Sequence, residues 1–216
     1  MRIGDHHLPP DEARAIVCRY ARDHADTVLY FDLAGDPDSH PGPDGAAEPA
    51  DKVTLADLGR LVIIDARLNA GDAPVLLRAA SPAVFGAVPV AARLEQWTPS
   101  CSLNEAATAL YDKFRHAGIG GAKRSKLLHL KRPWLIPIYD SRVHEVYKER
   151  VAALITEIDD PSAAWWEAPR RDLVDGANEF AALAASLADD DDSVIRRAGR
   201  LTALRLLDII AWSLAG

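Results

Sequence analysis

The sequence predicts an all-α fold, a helical domain with a central helix-hairpin-helix, and three observations predict it. Leu103, Ala106, Ala107, Leu110, Tyr111 and Phe114 recur at the spacing of one helix face. Helix-start signals recur along the chain, at Pro9-Pro10-Asp11-Glu12, Thr54, Ser102-Leu103-Asn104-Glu105 and Asp140. No segment alternates apolar and polar residues strongly enough to nucleate a sheet. Hydrophobic residues make up 49% of the 216, enough for a sizeable core. The length suits a single domain spanning 1–216, with room for two lobes.

Pro9 and Pro10, followed by Asp11 and Glu12, open the first helix, because a helix N-terminus tolerates proline and favours negative charge. His6-His7 before it is read as a frayed terminus with no metal-binding partner pattern. Thr27–Asp32 reads as a short extended or irregular piece. Residues 33–53, dense in Gly, Pro, Asp and Ala, read as a loop or partly disordered insertion. Thr54 caps a helix expected to reach about Leu68, and further pieces are punctuated by Gly71, Pro74, Pro82 and Pro89.

Ser102-Leu103-Asn104-Glu105 has the pattern of a capping box, and the helix it opens is expected to end at Gly118. A second helix begins near Gly121 and stops before Arg132-Pro133, since proline cannot continue the ladder. Trp134–Tyr139 is an apolar connector. Asp140 starts a third helix with Val143, Val146, Tyr147, Val151 and Leu154 as its buried stripe. Residues 102–155 thus form one unit, around which the remaining helices pack. Pro161 and Pro169 mark breaks, and Asp189–Asp192 reads as a solvated turn. The last helix carries Leu204, Leu207, Ile210, Ala211 and Leu214 on one face; its apolar run is broken by Arg205 and Asp208.

The net charge of -7 excludes a uniformly basic nucleic-acid coat. Its distribution is uneven. Lys113 to Tyr139 holds seven Lys/Arg and no acid, while the remainder sums to -14. Cys18 and Cys101 are the only cysteines, too few for a Cys-rich zinc site or an all-cysteine iron–sulfur cluster. No cofactor and no metal are expected. The N-terminal residues lack the apolar core of a signal peptide, and no run approaches the roughly 18 apolar residues of a membrane span. A cytoplasmic location and no membrane partner are expected.

Gly118-Ile119-Gly120 lets the chain reverse between helices. Gly118 can take a left-handed conformation, and Gly120 lets the backbone approach a ligand. The helix that follows presents unpaired N–H groups from Gly120, Gly121 and Ala122, a ready site for phosphate oxygen. Lys123, Arg124 and Lys126 add charge, and Arg142 lies close to Asp140 in sequence. The plain alternative is a glycine turn, an N-capping Asp140 and a solvated basic face.

A glycine hairpin opening a helix, an apolar Pro-containing connector, then Asp140 twenty residues beyond Gly120, followed by Ser141-Arg142-Val143, resembles the helix-hairpin-helix DNA glycosylase superfamily. The chain as a whole also resembles a family of uncharacterised, mainly actinobacterial proteins. The run from Gly118 through Val143 and Leu207–Trp212 carry that second likeness. The first resemblance implies a DNA-glycosylase-like hydrolase that cleaves the N-glycosidic bond of a damaged or modified base. Asp140 would be its catalytic carboxylate. Gly118, Ile119, Gly120, Gly121, Ala122, Lys123, Arg124, Lys126 and Arg142 would hold the DNA phosphate backbone.

It also implies departures. The Schiff-base lysine of bifunctional members falls at Ala122, and Lys123 points about 100° away, so lyase chemistry is not expected. Arg124 replaces a usual alanine. Trp97, Trp134, Tyr139, Trp165 and Trp166 are candidates for stacking or wedging a flipped base. His129 and His144 are candidate phosphate contacts, and Glu145 a second carboxylate. Two other readings remain open: a non-catalytic DNA-binding helix-hairpin-helix protein, and a structural helical domain.

Overall fold

The computed structural model describes residues 1–33, 50–79 and 85–216. Most of the predicted 33–53 insertion, and Pro82, lie outside the described residues. Eleven helices dominate among the described residues, so the protein is all-α. Among the described residues the only sheet is a two-residue ladder, β1 (Arg2–Ile3) paired antiparallel with β2 (His6–His7).

That ladder corrects the frayed reading of the N-terminus. Gly4 turns it with φ 58, and its N–H donates to Asp172 Oδ2 at 2.7 Å. A Cβ on Gly4 would lie 2.7 Å from the carbonyl oxygen of Val146, so only glycine fits. Ile3 is fully buried.

Helix α1 (Pro10–Asp23) begins with Pro10 in its first turn, as expected. After the single turn α2 (Ala25–Thr27), residues Val28–Asp32 form a π-helical turn rather than an extended piece. The Leu33 N–H reaches back to the Val28 carbonyl at 3.1 Å. Val28 and Phe31 are buried there, so apolar residues that read as an extended or irregular piece are satisfied by a wide helical turn.

Helix α3 (Leu55–Ile63) carries a full capping box between Thr54 and Asp57. It stops short of Leu68 because Asp65 and Arg67 adopt left-handed φ of 50 and 51. Helix α4 (Asp72–Ala79) follows, with Pro74 in its first turn. Helix α5 (Ser102–Lys113) has no side-chain cap, which corrects the capping box expected at Ser102. Cys101 occupies the cap position, and the Asn104 amide oxygen instead accepts from Trp97 Nε1 at 3.1 Å.

Helices α6 (Gly121–Lys131) and α7 (Ser141–Ile158) lie where the sequence placed them, and α7 buries the expected stripe. Helix α8 (Pro161–Asp175) runs through Pro169, which is buried inside it and does not break it. Helices α9 (Ala177–Ala188), α10 (Ser193–Ala198) and α11 (Ala203–Leu214) complete the chain. The acidic run before α10 is anchored rather than merely solvated. Asp190 pairs with Arg14, and Asp192 caps α10 and pairs with Arg22.

Helix α11 is the centre of the core. Every residue from Leu204 to Ala211 is buried, and the helix packs on α1, α7, α8 and α9. A helix buried all round is expected to be apolar all round. Arg205 and Asp208 violate that rule, and they direct attention to the cavity beside them.

Candidate functional site

The turn between α5 and α6 is glycine-bent as read. Gly118 has φ +84, Ile119 is buried, and Gly120 caps α6. Helix α5 ends at Lys113, five residues before Gly118, so Gly118 belongs to the turn and not to the helix end. Gly121 accepts a hydrogen bond from the Tyr111 hydroxyl at 3.1 Å on its carbonyl.

The basic run that follows is largely turned inward. Lys123 Nζ donates to Asp72 Oδ2 at 2.7 Å and to the Gly118 carbonyl at 3.0 Å. Lys126 Nζ donates to the Ile64 carbonyl at 2.9 Å. Lys131 pairs with Asp57 at 2.6 Å, both buried. Fully buried Arg132 binds Asp51 at 2.7 Å and the carbonyls of Ala50, Phe85 and Val88. The Arg124 guanidinium lies 4.5 Å over the Tyr111 ring. The island that read as a phosphate-facing patch is thus mostly an internal seam, which fastens α6 to the α3–α4 segment through Asp57 and Asp72.

Asp140 caps α7. Its Oδ1 accepts from the N–H groups of Arg142 at 3.0 Å and Val143 at 3.1 Å. Its Oδ2 has no hydrogen-bond partner among the described residues. The carboxylate is half-buried and lines a cavity of about 720 Å³. That is within the usual range for ligand sites. Gly118, Gly120, Ala122, Lys123, Lys126 and Arg142 share the cavity wall, so the structure gathers these predicted residues around Asp140. Ile119, Gly121 and Arg124 do not line it.

The opposite wall comes from residues that the sequence reading did not single out as a site. Trp212 of α11 meets Tyr20 edge-on at 5.9 Å and His24 edge-on at 5.6 Å. The Arg142 guanidinium stacks 4.1 Å over Trp212, so it serves an aromatic face and not the Asp140 carboxylate. In the same lining, Arg205 donates to Asp32 Oδ1 at 2.7 Å and to the Tyr20 hydroxyl at 2.8 Å. Asp208 accepts from the Ile138 N–H at 3.1 Å through Oδ2, and its Oδ1 is buried without a partner among the described residues.

The charges of these groups follow from their surroundings. Burial lowers the Lys126 pKa, and Asp140 opposes that shift. Burial pushes Asp208 well above its ordinary carboxylate value; Arg205 and the Ile138 N–H oppose this, while Asp140 and Asp32 add to it. Burial raises the Tyr20 hydroxyl to about 12 despite Arg205 beside it. Burial works against the Arg205 charge, but Asp32 and its other neighbours outweigh it and hold the guanidinium charged. For Asp72, burial is outweighed by the Lys123 hydrogen bond and the Asn69 N–H, which hold its carboxyl below the ordinary value.

The remaining aromatic and histidine candidates lie elsewhere. Trp97 is fully buried against Trp166, Trp134 lies under Arg93, and Tyr139 packs on Trp165. None of the five lines the cavity. His129 is buried, with Nδ1 2.7 Å from the Ile136 carbonyl. Burial, and then Arg205, lowers its pKa to about 3, so it is a neutral core residue with no phosphate to contact. His144 stacks on Trp165, and Glu145 pairs with Lys148. The signal for the missed wall was present in the last helix, where two charged residues three apart interrupt a helix that is otherwise apolar.

No group of three or more metal-ligating side chains occurs among the described residues. Among them, too, no helix is long and apolar enough to cross a membrane. A family of unknown function (DUF6308) matches residues 38–215, and the chain belongs to that family. No curated protein and no solved structure matches the chain.

Proposed function

We propose that this member of the DUF6308 family is a DNA-glycosylase-like hydrolase, monofunctional, acting on a damaged or modified base, with Asp140 as its catalytic carboxylate. The single observation that carries the reading is the state of Asp140 at the cavity. One carboxylate oxygen is spent on capping α7, and the other has no partner among the described residues.

Cleavage of an N-glycosidic bond builds positive charge at C1′, which an adjacent carboxylate stabilises. The C1′–N bond electrons leave with the base, which takes a proton from solvent. A water molecule completes the C1′–O bond, and its proton passes to Asp140 and on to solvent. The aromatic wall of Trp212, Tyr20 and His24 suits a flat heterocycle taken out of its stack. The glycine turn across the cavity offers backbone N–H groups to phosphate. Ala122 stands where a Schiff-base lysine would be needed, so the reading stays monofunctional.

The test is base release from duplexes carrying a panel of lesions, comparing the native chain with Asp140→Asn. Asn caps a helix as well as Asp. The expected result is release that disappears in the variant while duplex binding and fold persist. Release that survives the substitution overturns the reading. A second reading, a DNA-binding domain without chemistry, is favoured by one observation: the cap alone accounts for an Asp at 140. Binding without release in the native chain selects it.

A further inference from the structure

We propose that Asp208 is the hydrogen-bond donor of the cavity: a protonated carboxyl that selects a flat nitrogen heterocycle by an acceptor atom, a ring nitrogen or a carbonyl oxygen. The proposal deepens the reading of the cavity as a base pocket and rests on it.

Three features support it. Asp208 lines the cavity and is only 1% exposed, yet Oδ1 has no partner among the described residues. A buried polar atom left unpaired costs about 1–3 kcal/mol, so it calls for a ligand or another explanation. The neighbouring cation does not neutralise it through a hydrogen bond. Arg205 spends Nε and Nη2 on Asp32 and Tyr20 instead. The wall next to it is the Trp212–Tyr20–His24 cluster, whose ring faces and edges suit a heteroaromatic guest.

The protonation state follows from every side. On its own helix stands Arg205; Asp32 comes from the π-helical turn and Tyr20 from α1. Lys126 of α6 and Asp140 at the start of α7 share the cavity. Tyr147 of α7, whose hydroxyl donates to Asp172 of α8, and Tyr139 are close enough to Asp208 for their titrations to be coupled to it. Helix α9 packs Phe180, Leu183 and Leu187 inward, and β1 contributes Ile3. Burial among these groups keeps the proton on Asp208 above the ordinary carboxylate range. A proton held there makes Oδ2 the acceptor for Ile138 and Oδ1 the donor.

The experiment uses the full chain and free bases as probes: adenine, hypoxanthine, cytosine and uracil, followed by tryptophan fluorescence and calorimetry across pH. Three chains are compared: native, Asp208→Asn and Asp208→Leu. Asn keeps an acceptor for Ile138 and a donor that does not titrate. Leu keeps the volume and removes both. Native binding of at least one base is expected to weaken as pH rises through the Asp208 titration. Asp208→Asn is expected to bind without that pH dependence, and Asp208→Leu to bind about tenfold more weakly.

Equal binding by native and Leu chains, native binding that strengthens with pH, or no binding of any probe by the folded native chain overturns the proposal. Circular dichroism checks the fold of each variant. If Asp208→Leu does not fold, the pH contrast between native and Asn chains decides alone. Failure here is separable from failure of the catalytic reading. Base release lost in Asp140→Asn, with no Asp208 effect on base binding, leaves that reading standing. Base binding with the stated pH pattern, but no release from any duplex, does the reverse.

Discussion

Lys131 Nζ lies 2.6 Å from Asp57 Oδ2, and both side chains are almost completely buried. The pair joins the end of α6 to the first turn of α3, where the same Asp57 oxygen also accepts from the Thr54 N–H at 2.7 Å. A surface ion pair contributes little, but removing one member of a buried pair leaves an uncompensated charge.

Lys131→Met is therefore expected to destabilise the protein by about 3–5 kcal/mol, measured by urea unfolding. Adding Asp57→Asn to that variant is expected to recover part of the loss, because the buried carboxylate charge, which Arg60 still reaches at 3.4 Å but Lys131 no longer offsets, is gone while a Thr54 acceptor remains. A Lys131→Met chain as stable as the native one would show that the pair contributes nothing.

Duplex binding is expected to depend weakly on salt. With Lys123, Arg124, Lys126, Lys131 and Arg132 engaged inside the protein, few island cations are free for phosphate. A slope of log K against log salt of about -2, corresponding to about two neutralised phosphates, is the expected outcome. A slope near -5 would mean that the seam opens on binding.

Asp140→Ala is expected to cost about 1 kcal/mol through loss of the α7 cap, and Asp140→Asn only a few tenths. Thermal or denaturant melts of the two variants check this. Matching melts alongside lost base release in Asp140→Asn would separate chemistry from capping.

Two buried groups set opposite pH responses. His129 has its pKa lowered to about 3 in the fold, against an ordinary value of 6.5. Its contribution is present above 6.5 and is lost as pH falls toward 3, by at most about 1.4 kcal/mol per pH unit. Asp208 is shifted upward, so its contribution is present below the ordinary value of 3.8 and is lost as pH rises through its folded pKa. Asp208→Asn is thus expected to gain on the native chain as pH rises, and His129→Asn to gain on it as pH falls. Urea midpoints across pH read both; parallel curves for the native chain and either variant refute the corresponding assignment.

Local physics was legible wherever it was strong. Pro10, Thr54 and Asp140 each specify a helix end through their own atoms, and each does so in the fold; Gly118 bends the turn as read, but the helix before it ends at Lys113. What escaped was long-range pairing. Nothing near Lys123 or Lys131 in sequence says that Asp72 and Asp57 will meet them, so a run of cations read as a surface. Thr27–Asp32 read as extended or irregular because its few apolar residues fit an extended segment and a π-helical turn alike. The site was half legible. Gly118, Gly120 and Asp140 were found from spacing, whereas Tyr20, His24, Arg205, Asp208 and Trp212 come together only when α1 packs on α11.

The Lys123 contacts also have a mechanical consequence. One ammonium grips Asp72 at the head of α4, 51 residues before it in sequence, and the Gly118 carbonyl at the crest of the glycine turn. The turn is therefore a strut with a strap across it, and a force applied at Gly118 is shared with α4. A turn held in this way keeps its backbone in one place, and movement of Gly118 away from Lys123 would have to break the strap first.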